Sequence, residues 1–401
     1  MLSGKKILLG VCGSIAAYKA ADLVRELGRQ GAMVTVVMTE SAGRFVTPLT
    51  FAALSGRPVH SAMFSPDGAE KIPHISLARE HDLILIAPAT AQTLARLAMG
   101  LADDLLATVV LAARCPVLFC PAMNAKMFDH PATSANLQRL RDFGYTMVEP
   151  AVGAMACGEE GSGRLADWPH ILSTLRQALS PQDLAGKKVM ITAGPTEEPL
   201  DPVRYISNRS SGRMGYALAG VARERGASVL LISGPSQLPP PPGVELVRVR
   251  TAAEMAQEVF ARFAAADIVV KCAAVSDFRP AECAPQKLKK ASGSLELALA
   301  ANEDILQELG RRKDGQFLVG FAAESENHLA EGRRKLAAKN LDMIVVNDIG
   351  SAATGFISET NAVTILGASG EELEVSLRSK EEVAMVVFSQ VVTGLGEGHG
   401  D

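Results

Sequence analysis

The chain has 401 residues, 48% of them hydrophobic, enough to build more than one buried core, and that length favours two domains or more. A formal net charge of −4 provides no global basic field for nucleic acid, and 4% aromatic residues with one Trp argue against base-stacking platforms. Six cysteines, at 12, 115, 120, 157, 272 and 283, show no CxxC pairing, which argues against zinc sites and against a disulfide framework.

The opening MLSGKKILLGVCGS is broken by glycine too early for a signal peptide, and no run approaches the roughly 20 apolar residues of a membrane span. A soluble protein of a reducing, cytoplasmic compartment is expected. Residues 6–12 predict a strand, 16–30 an amphipathic helix and 33–38 a second strand, together a βαβ unit. The intervening turn reads GVCGSIAA, which is neither GxGxxG nor a P-loop. Gly13, Ser14 and Ile15 there suit a phosphate on free helix amides, and equally an ordinary tight turn. Further strands are expected at 83–87 and 116–120, with an alanine-rich helix at 91–99. Thr39, Ala89 and Thr90 stand at carboxyl ends of strands, where open α/β sheets gather ligands, and Thr93 follows one turn later. Asn124 and Met127 come directly after the strand at 116–120 and predict a half-polar, half-apolar pocket, although methionines alone suit a core better than a cofactor contact. Glycines at 153, 158, 161 and 163 predict a mobile loop without regular structure, with Cys157 partly exposed at its centre. His74, in KIPHISLARE, reads by itself as a surface histidine.

Residues 180–186, SPQDLAG, predict a linker. The apolar run 189–192 then predicts a buried parallel strand, closed by Gly194 and Pro195. A long polar loop carrying Arg204 and Asn208 leads into a helix over 212–225. Ser210, Ser211 and Gly212 stand where helix amides become free, and suit an anion or simple N-capping. Strands are expected at 229–232, 244–249, 268–274, 317–322 and 343–347, then a strand pair at 362–366 and 373–375, a last helix from 380, and a disordered tail from 394. Lys271, Cys272 and Ala273 end one of these strands, and Asp277 leaves it. Lys287 opens KLKK, which is either a solvated cluster or a set of lysines folding over a triphosphate. A helix over 326–339 places Lys335 and Lys339 four apart on one face. Two starts of the strand–turn–helix kind, one in each half, predict two α/β domains.

Several motifs coincide in order. GSIAAYK at 13–19, HISL at 74–77, APAT with LARLAMGLADDLL at 87–106, PAMNAKM at 121–127 and ACGEEGSGRL at 156–165 resemble the flavin-dependent cysteine decarboxylases. From ITAGPTEEPLDPVRYISNRSSGRMGYALA onward the chain resembles phosphopantothenate–cysteine ligases, and the fusion in this order resembles bacterial bifunctional proteins of coenzyme A biosynthesis. The resemblance implies two doubly wound domains: a flavodoxin-like decarboxylase at 1–180 and a Rossmann-like ligase at 187–401, joined by a linker at 181–186. It implies FMN in the first, held by Gly13, Ser14, Ile15, Thr39, Ala89, Thr90 and Thr93, in an oligomer with flavin sites between subunits. His74, Asn124 and Cys157 would carry the decarboxylation, with Cys157 as the final proton donor and Met127 against substrate. In the second domain it implies 4′-phosphopantothenate, cysteine and CTP as substrates, with Mg2+ (or Mn2+) held mainly through the CTP phosphates. Asn208 and Lys287 would be catalytic, through an acyl-cytidylate. Arg204, Ser210, Ser211, Gly212, Lys271, Cys272, Ala273, Asp277, Asn302, Glu303, Asp304, Ile305, Phe321, Lys335 and Lys339 would bind substrates. Two departures are Phe128, where the family often has Trp, and Glu303, where it often has Pro. The product of one domain, 4′-phosphopantothenoylcysteine, would be the substrate of the other. The rival is a regulatory flavoprotein that binds a partner and carries a degenerate ligase half; a dinucleotide dehydrogenase is weakened by the missing GxGxxG.

Overall fold

The apolar runs become the inner strands of two open sheets, one in each of two units, Met1–Ser180 and Pro181–Asp401. The structure is a computed structural model that describes residues 2–64, 73–154, 158, 160–289, 296–324, 328–348 and 358–397. No helix among the described residues is long and apolar enough to cross a membrane.

In the first unit β1 (Lys6–Val11), β2 (Met33–Met38), β3 (Val59–His60), β4 (Leu83–Ala89), β5 (Val117–Pro121) and β6 (Thr146–Met147) form a sheet in the order β3-β2-β1-β4-β5-β6. Every pairing in it is parallel. Without the two-residue edge strand β3, the order is the flavodoxin-like 2-1-3-4-5, with its switch point between β1 and β4. Alternation sends successive residues of β1 to opposite faces. Ile7, Leu9 and Val11 join a core with Leu23, Val24 and Leu27 of the helix Ala17–Arg29. Leu8 joins the core on the other side with Leu94, Leu106 and Val109. Burial on both faces explains why β4 is apolar throughout.

The loop expected at 153–163 is instead the root of an antiparallel hairpin, β7 (Ala151–Ala154) with β8 (Glu160–Arg164). Glycine makes this possible rather than preventing it. Gly163 has φ +118°, and a Cβ there would meet Met123 O at 2.5 Å, so only glycine lets β8 lie against the end of β5. Cys157 lies outside the described residues.

The second unit contains β9 (Lys188–Ala193), β10 (Glu197–Pro199), β11 (Tyr205–Ser207), β12 (Ser228–Ser233), β13 (Glu245–Arg248), β14 (Ile268–Lys271), β15 (Phe278–Pro280), β16 (Leu299–Ala301), β17 (Phe317–Glu324), β18 (Met343–Asp348), β19 (Thr360–Gly367) and β20 (Glu372–Ser379). Its main sheet runs β13-β12-β9-β14-β17-β18-β19-β20, parallel through β18 and antiparallel for the last two strands. Val189 and Ile191 pack with the helices Arg213–Glu224 and Lys380–Glu397 on one face. Met190 packs with Met255, Leu309 and Leu336 on the other. The polar loop after β9 contains the hairpin β10–β11, and a second antiparallel pair, β15–β16, joins residues 19 to 23 apart in sequence. The expected linker is ordered within this unit: Leu184 is fully buried in its core, and Asp183 pairs with Arg225. The tail expected to be disordered from 394 is helical through Glu397, because Gly394 packs under the Phe317 ring. The helix expected over 326–339 is described as His328–Ala338.

Candidate active sites at the carboxyl edges of the two sheets

In the first unit the expected cofactor residues converge on the switch point. Cys12 N donates to Pro88 O at 3.2 Å, tying the end of β1 to the end of β4. Gly13 lies so close to the loop after β2 that a Cβ would meet Ser41 Cβ at 2.4 Å. Ser14 Oγ accepts from Ala16 N at 3.2 Å, and Thr39 Oγ1 accepts from Ala42 N at 3.3 Å. Thr90 caps the helix Ala91–Met99 by accepting from Thr93 N at 3.4 Å, and its hydroxyl donates to Thr93 Oγ1 at 3.2 Å. Ala89 O accepts from Ala122 N at 3.0 Å, which brings the segment after β5 alongside. Ile15 and Met127 present apolar surface, 59% and 50% exposed. Burial pushes the Cys12 thiol up to about 11, so it is an inert core group rather than a nucleophile.

Asn124 caps the short helix Ala125–Phe128, its Oδ1 accepting from Lys126 N at 2.9 Å. Next to it, Met123 N donates to Gly163 O at 2.9 Å. The hairpin β7–β8 is therefore bonded to the segment that carries Asn124. His74 is the second residue of the helix Pro73–Arg79, which runs back toward the amino edge, where Asp82 Oδ2 accepts from Lys6 N at 2.7 Å. Its start thus lies toward the carboxyl edge, and His74 Nδ1 is buried without a hydrogen-bond partner among the described residues.

In the second unit the switch point lies between β9 and β14. Thr192 Oγ1 accepts from Ala273 N at 3.1 Å, Gly194 O accepts from Ala274 N at 2.9 Å, and Thr196 Oγ1 accepts from Ser276 N at 3.1 Å. Three glycines let a helix start approach this edge. Gly194 has φ +74°, Gly212 has φ +78° and sits with its Cβ position 3.4 Å from Gly194 Cα, and Gly215 lies directly on Ala193. These are the tasks of a glycine-rich nucleotide turn, divided by residues 195–211. Ser210 Oγ accepts from Gly212 N at 3.2 Å, and Ser236 Oγ donates to Ser211 O at 3.3 Å, leaving both serines beside the helix start.

Three groups of expected residues gather around that edge. Asn208 Nδ2 donates to Val275 O at 2.9 Å, Asn302 Nδ2 donates to Ser276 O at 2.8 Å, and Asn302 N donates to Asp277 O at 2.8 Å. Arg204 Nη2 donates to Leu288 O at 3.1 Å, next to exposed Lys287. Lys339 Nζ lies 2.7 Å from Asp304 Oδ2. Burial is the main cause that brings Lys271 down to about 8, assisted by the positive charge of Lys339 and opposed by Asp304. Burial pushes the Cys272 thiol up to about 12. The Ile305 side chain is in the core, so its main chain is what the edge can offer, while Glu303 is exposed. Phe321 is half-buried on β17, and Lys335 lies one turn before Lys339. Among the described residues no group of three or more His, Cys, Asp or Glu side chains could hold a metal ion.

Residues 1–180 match the family model described as Flavoprotein, and residues 184–395 match the DNA/pantothenate metabolism flavoprotein C-terminal domain. The coenzyme A biosynthesis bifunctional protein of Bacillus subtilis (strain 168) is 46% identical over 395 residues, covering 98% of this chain and 97% of that one. The chain belongs to the bifunctional coenzyme A biosynthesis family. The family's representative in Escherichia coli (strain K12) is 44% identical over 401 residues, covering 99% of this chain and 98% of its own. A crystal structure of the C-terminal domain of a coenzyme A biosynthesis bifunctional protein is 41% identical, covering 54% of this chain and 99% of its own, with a TM-score of 0.47. For this member of the bifunctional family, sequence reasoning missed Thr192, Thr196 and Asp201, which hold the second edge together. The signal available for Asp201 was an aspartate before proline, a turn-forming pair. Ser276 Oγ, buried without a partner among the described residues, was missed as well.

Proposed function

We propose that the second unit joins 4′-phosphopantothenate to cysteine with CTP, and that the first decarboxylates the product, 4′-phosphopantothenoylcysteine, to 4′-phosphopantetheine. The chain is a bifunctional enzyme of coenzyme A biosynthesis with decarboxylase and ligase activities. The observation that supports the detailed reading is that described candidate residues of each unit gather toward the carboxyl edge of its own sheet, in a chain matching a bifunctional relative over 98% of its length.

The first unit is a flavoprotein, and its donors fit FMN. The hydroxyls of Ser14, Thr39 and Thr90 and the tight turn at Gly13 suit a phosphate and a ribityl chain, and Ile15 and Met127 suit a ring. When bound, the flavin supplies the redox chemistry that lets a cysteinyl carboxylate leave as CO2. Asn124 directs the substrate carboxylate by a hydrogen bond, a contact that orients without fixing charge. His74 Nδ1, buried without a partner among the described residues, orients or deprotonates the cysteinyl group. Cys157, which falls between β7 and β8 in sequence, returns a proton at the end. Exposed Ile15, Tyr18, Phe45 and Leu49 flank this edge and support a homo-oligomer with flavin sites between subunits.

In the second unit activation of a carboxylate gives an acyl-cytidylate and pyrophosphate, and the cysteine amine then displaces CMP. Both steps place charge on phosphate oxygens. Lys287 stabilises the phosphorus under attack, and Mg2+ or Mn2+, held mainly through CTP, would supply further charge neutralisation there. Asn208 and Arg204 hold the acyl part. The helix start at Ser210, Ser211 and Gly212 suits an anion, and Lys271, Asp277, Phe321, Lys335 and Lys339 line the nucleotide side.

The test is to mix the purified protein with 4′-phosphopantothenate, cysteine, CTP and Mg2+, and to read products by mass spectrometry. Phosphopantetheine together with CMP is expected. Accumulation of phosphopantothenoylcysteine would leave the first unit's role unsupported, and no CMP with no new thiol would favour a regulatory flavoprotein.

A further inference from the structure

The turn between β10 and β11 holds a carboxylate that the ligation scheme leaves unused. The Asp201 side chain is fully shielded from solvent. Its Oδ1 accepts from Val203 N at 2.7 Å and Arg204 N at 2.8 Å, an Asx turn closed by its own side chain. Its Oδ2 reaches across 87 residues of sequence to accept from Leu288 N at 3.1 Å. Arg204 completes the clasp. Its Nη2 donates to Leu288 O at 3.1 Å, and its Nη1 stands 3.7 Å from Asp201 Oδ2. Both backbone polar groups of Leu288 are thus held by one turn. Ala284 N, donating to Leu200 O at 3.0 Å, anchors the same segment just upstream.

Residues 284–289 belong to no helix or strand, so no regular ladder fixes their path. Backbone groups outside a ladder need another partner, and here a buried carboxylate supplies it. Burial alone would raise the Asp201 pKa, but the three amides and Arg204 outweigh it and hold the group below the usual carboxylate range. Lys287, the neighbour of the clasped residue, is exposed and forms no ion pair among the described residues.

We propose that Asp201 is a positioning residue for ligation, fixing the backbone at Leu288 so that Lys287 is presented to the phosphorus under attack. This rests on the reading of Lys287 given above. Asparagine could not replace the aspartate. With Oδ1 kept in the turn, its amide nitrogen would face Leu288 N, donor against donor.

The experiment compares Asp201→Asn, Lys287→Gln and the double variant in the full chain, with CMP release and decarboxylation of supplied phosphopantothenoylcysteine measured separately. Asp201→Asn is expected to lower kcat for ligation about 10- to 100-fold, the scale of a misplaced reacting group. KM for CTP should hold within about twofold, and decarboxylation should be unchanged. In the Lys287→Gln background, Asp201→Asn should cause no further loss, because it acts through that lysine. Tryptic cleavage after Lys287 should accelerate in Asp201→Asn while cleavage elsewhere in the second unit keeps its rate. Full ligation by Asp201→Asn, additive losses in the double variant, or cleavage rising equally throughout the unit would each overturn the assignment. Full ligation by Lys287→Gln would instead overturn the reading of Lys287 beneath it.

Discussion

Placing an alanine at Gly215 would separate the geometry of the ligation site from its stability. The added Cβ would lie 2.5 Å from Ala193 Cβ and 3.1 Å from Thr192 O. Carbon atoms rest about 3.5–4.0 Å apart, so the helix start must back away by about 1 Å. Overpacking of this kind costs about 1–3 kcal/mol, and alanine returns about 1 kcal/mol through its better helix propensity. The net is about 0–2 kcal/mol, a fall of at most about 8 °C in the unfolding midpoint of a unit this size. A displacement of about 1 Å at a reacting centre can cost about 100-fold in rate. Gly215→Ala is therefore expected to lose about 100-fold in CMP release at saturating substrate, with only a small thermal shift and normal decarboxylation of supplied intermediate. Adding Ala193→Gly removes the opposing methyl and should recover part of the ligation rate. Wild-type ligation by Gly215→Ala, or no recovery with Ala193→Gly, would refute the claim that close helix approach is what this glycine provides.

Arg225 is 5% exposed, clasps Asp183 at 2.8 and 2.5 Å, and donates to Met385 O and Ser389 Oγ at 3.2 Å each. Arg225→Ala should destabilise the second unit by about 3 kcal/mol, the low end for breaking a buried pair because the Asp183 side chain keeps 30% exposure; urea unfolding followed by circular dichroism would show it. Lys271 binds its proton less tightly when folded, at about 8, than the ordinary lysine at 10.5. Between those values the unfolded chain holds more protons, so stability should rise with pH from about 8 to about 10.5, by up to about 3 kcal/mol, and be flat below. Lys271→Met should lose that slope in denaturant titrations across the same window. Cys157→Ser should slow phosphopantetheine formation by about 10²- to 10⁴-fold while CMP release continues. Normal phosphopantetheine output from that variant would remove Cys157 from the chemistry.

The buried strands were legible because a parallel sheet covered on both faces demands unbroken apolar runs, as at β1, β4 and β9. The strand ends then placed Thr39, Thr90, Asn124 and Ala273 without further information. The three-residue strands β10, β11, β15 and β16 were not legible, since three residues are too few to show a period and their partners are distant. Four glycines between 153 and 163 read as a loop, yet Gly163 allows a hairpin to press against Met123. Asp201 escaped notice for a related reason. Its role depends on Leu288, and nothing in a linear reading joins those positions. Leu184 looked like one apolar residue in a polar stretch; its slot is made by elements that follow it in the chain.

The hydrogen-bonded anchorage of residues 182–184 also says where the gene can be divided. Polar composition would suggest starting a recombinant ligase fragment at Lys187. Such a fragment would lack Leu184, whose loss from a core costs about 2–5 kcal/mol, and would leave the Arg225 guanidinium without Asp183. It would also lack the Gln182 Nε2 donor that Glu224 O accepts from at 3.0 Å. A fragment beginning at Pro181 keeps all three. The fusion joint therefore sits ahead of the polar stretch, and what resembles a spacer between two proteins is the first structural segment of the second.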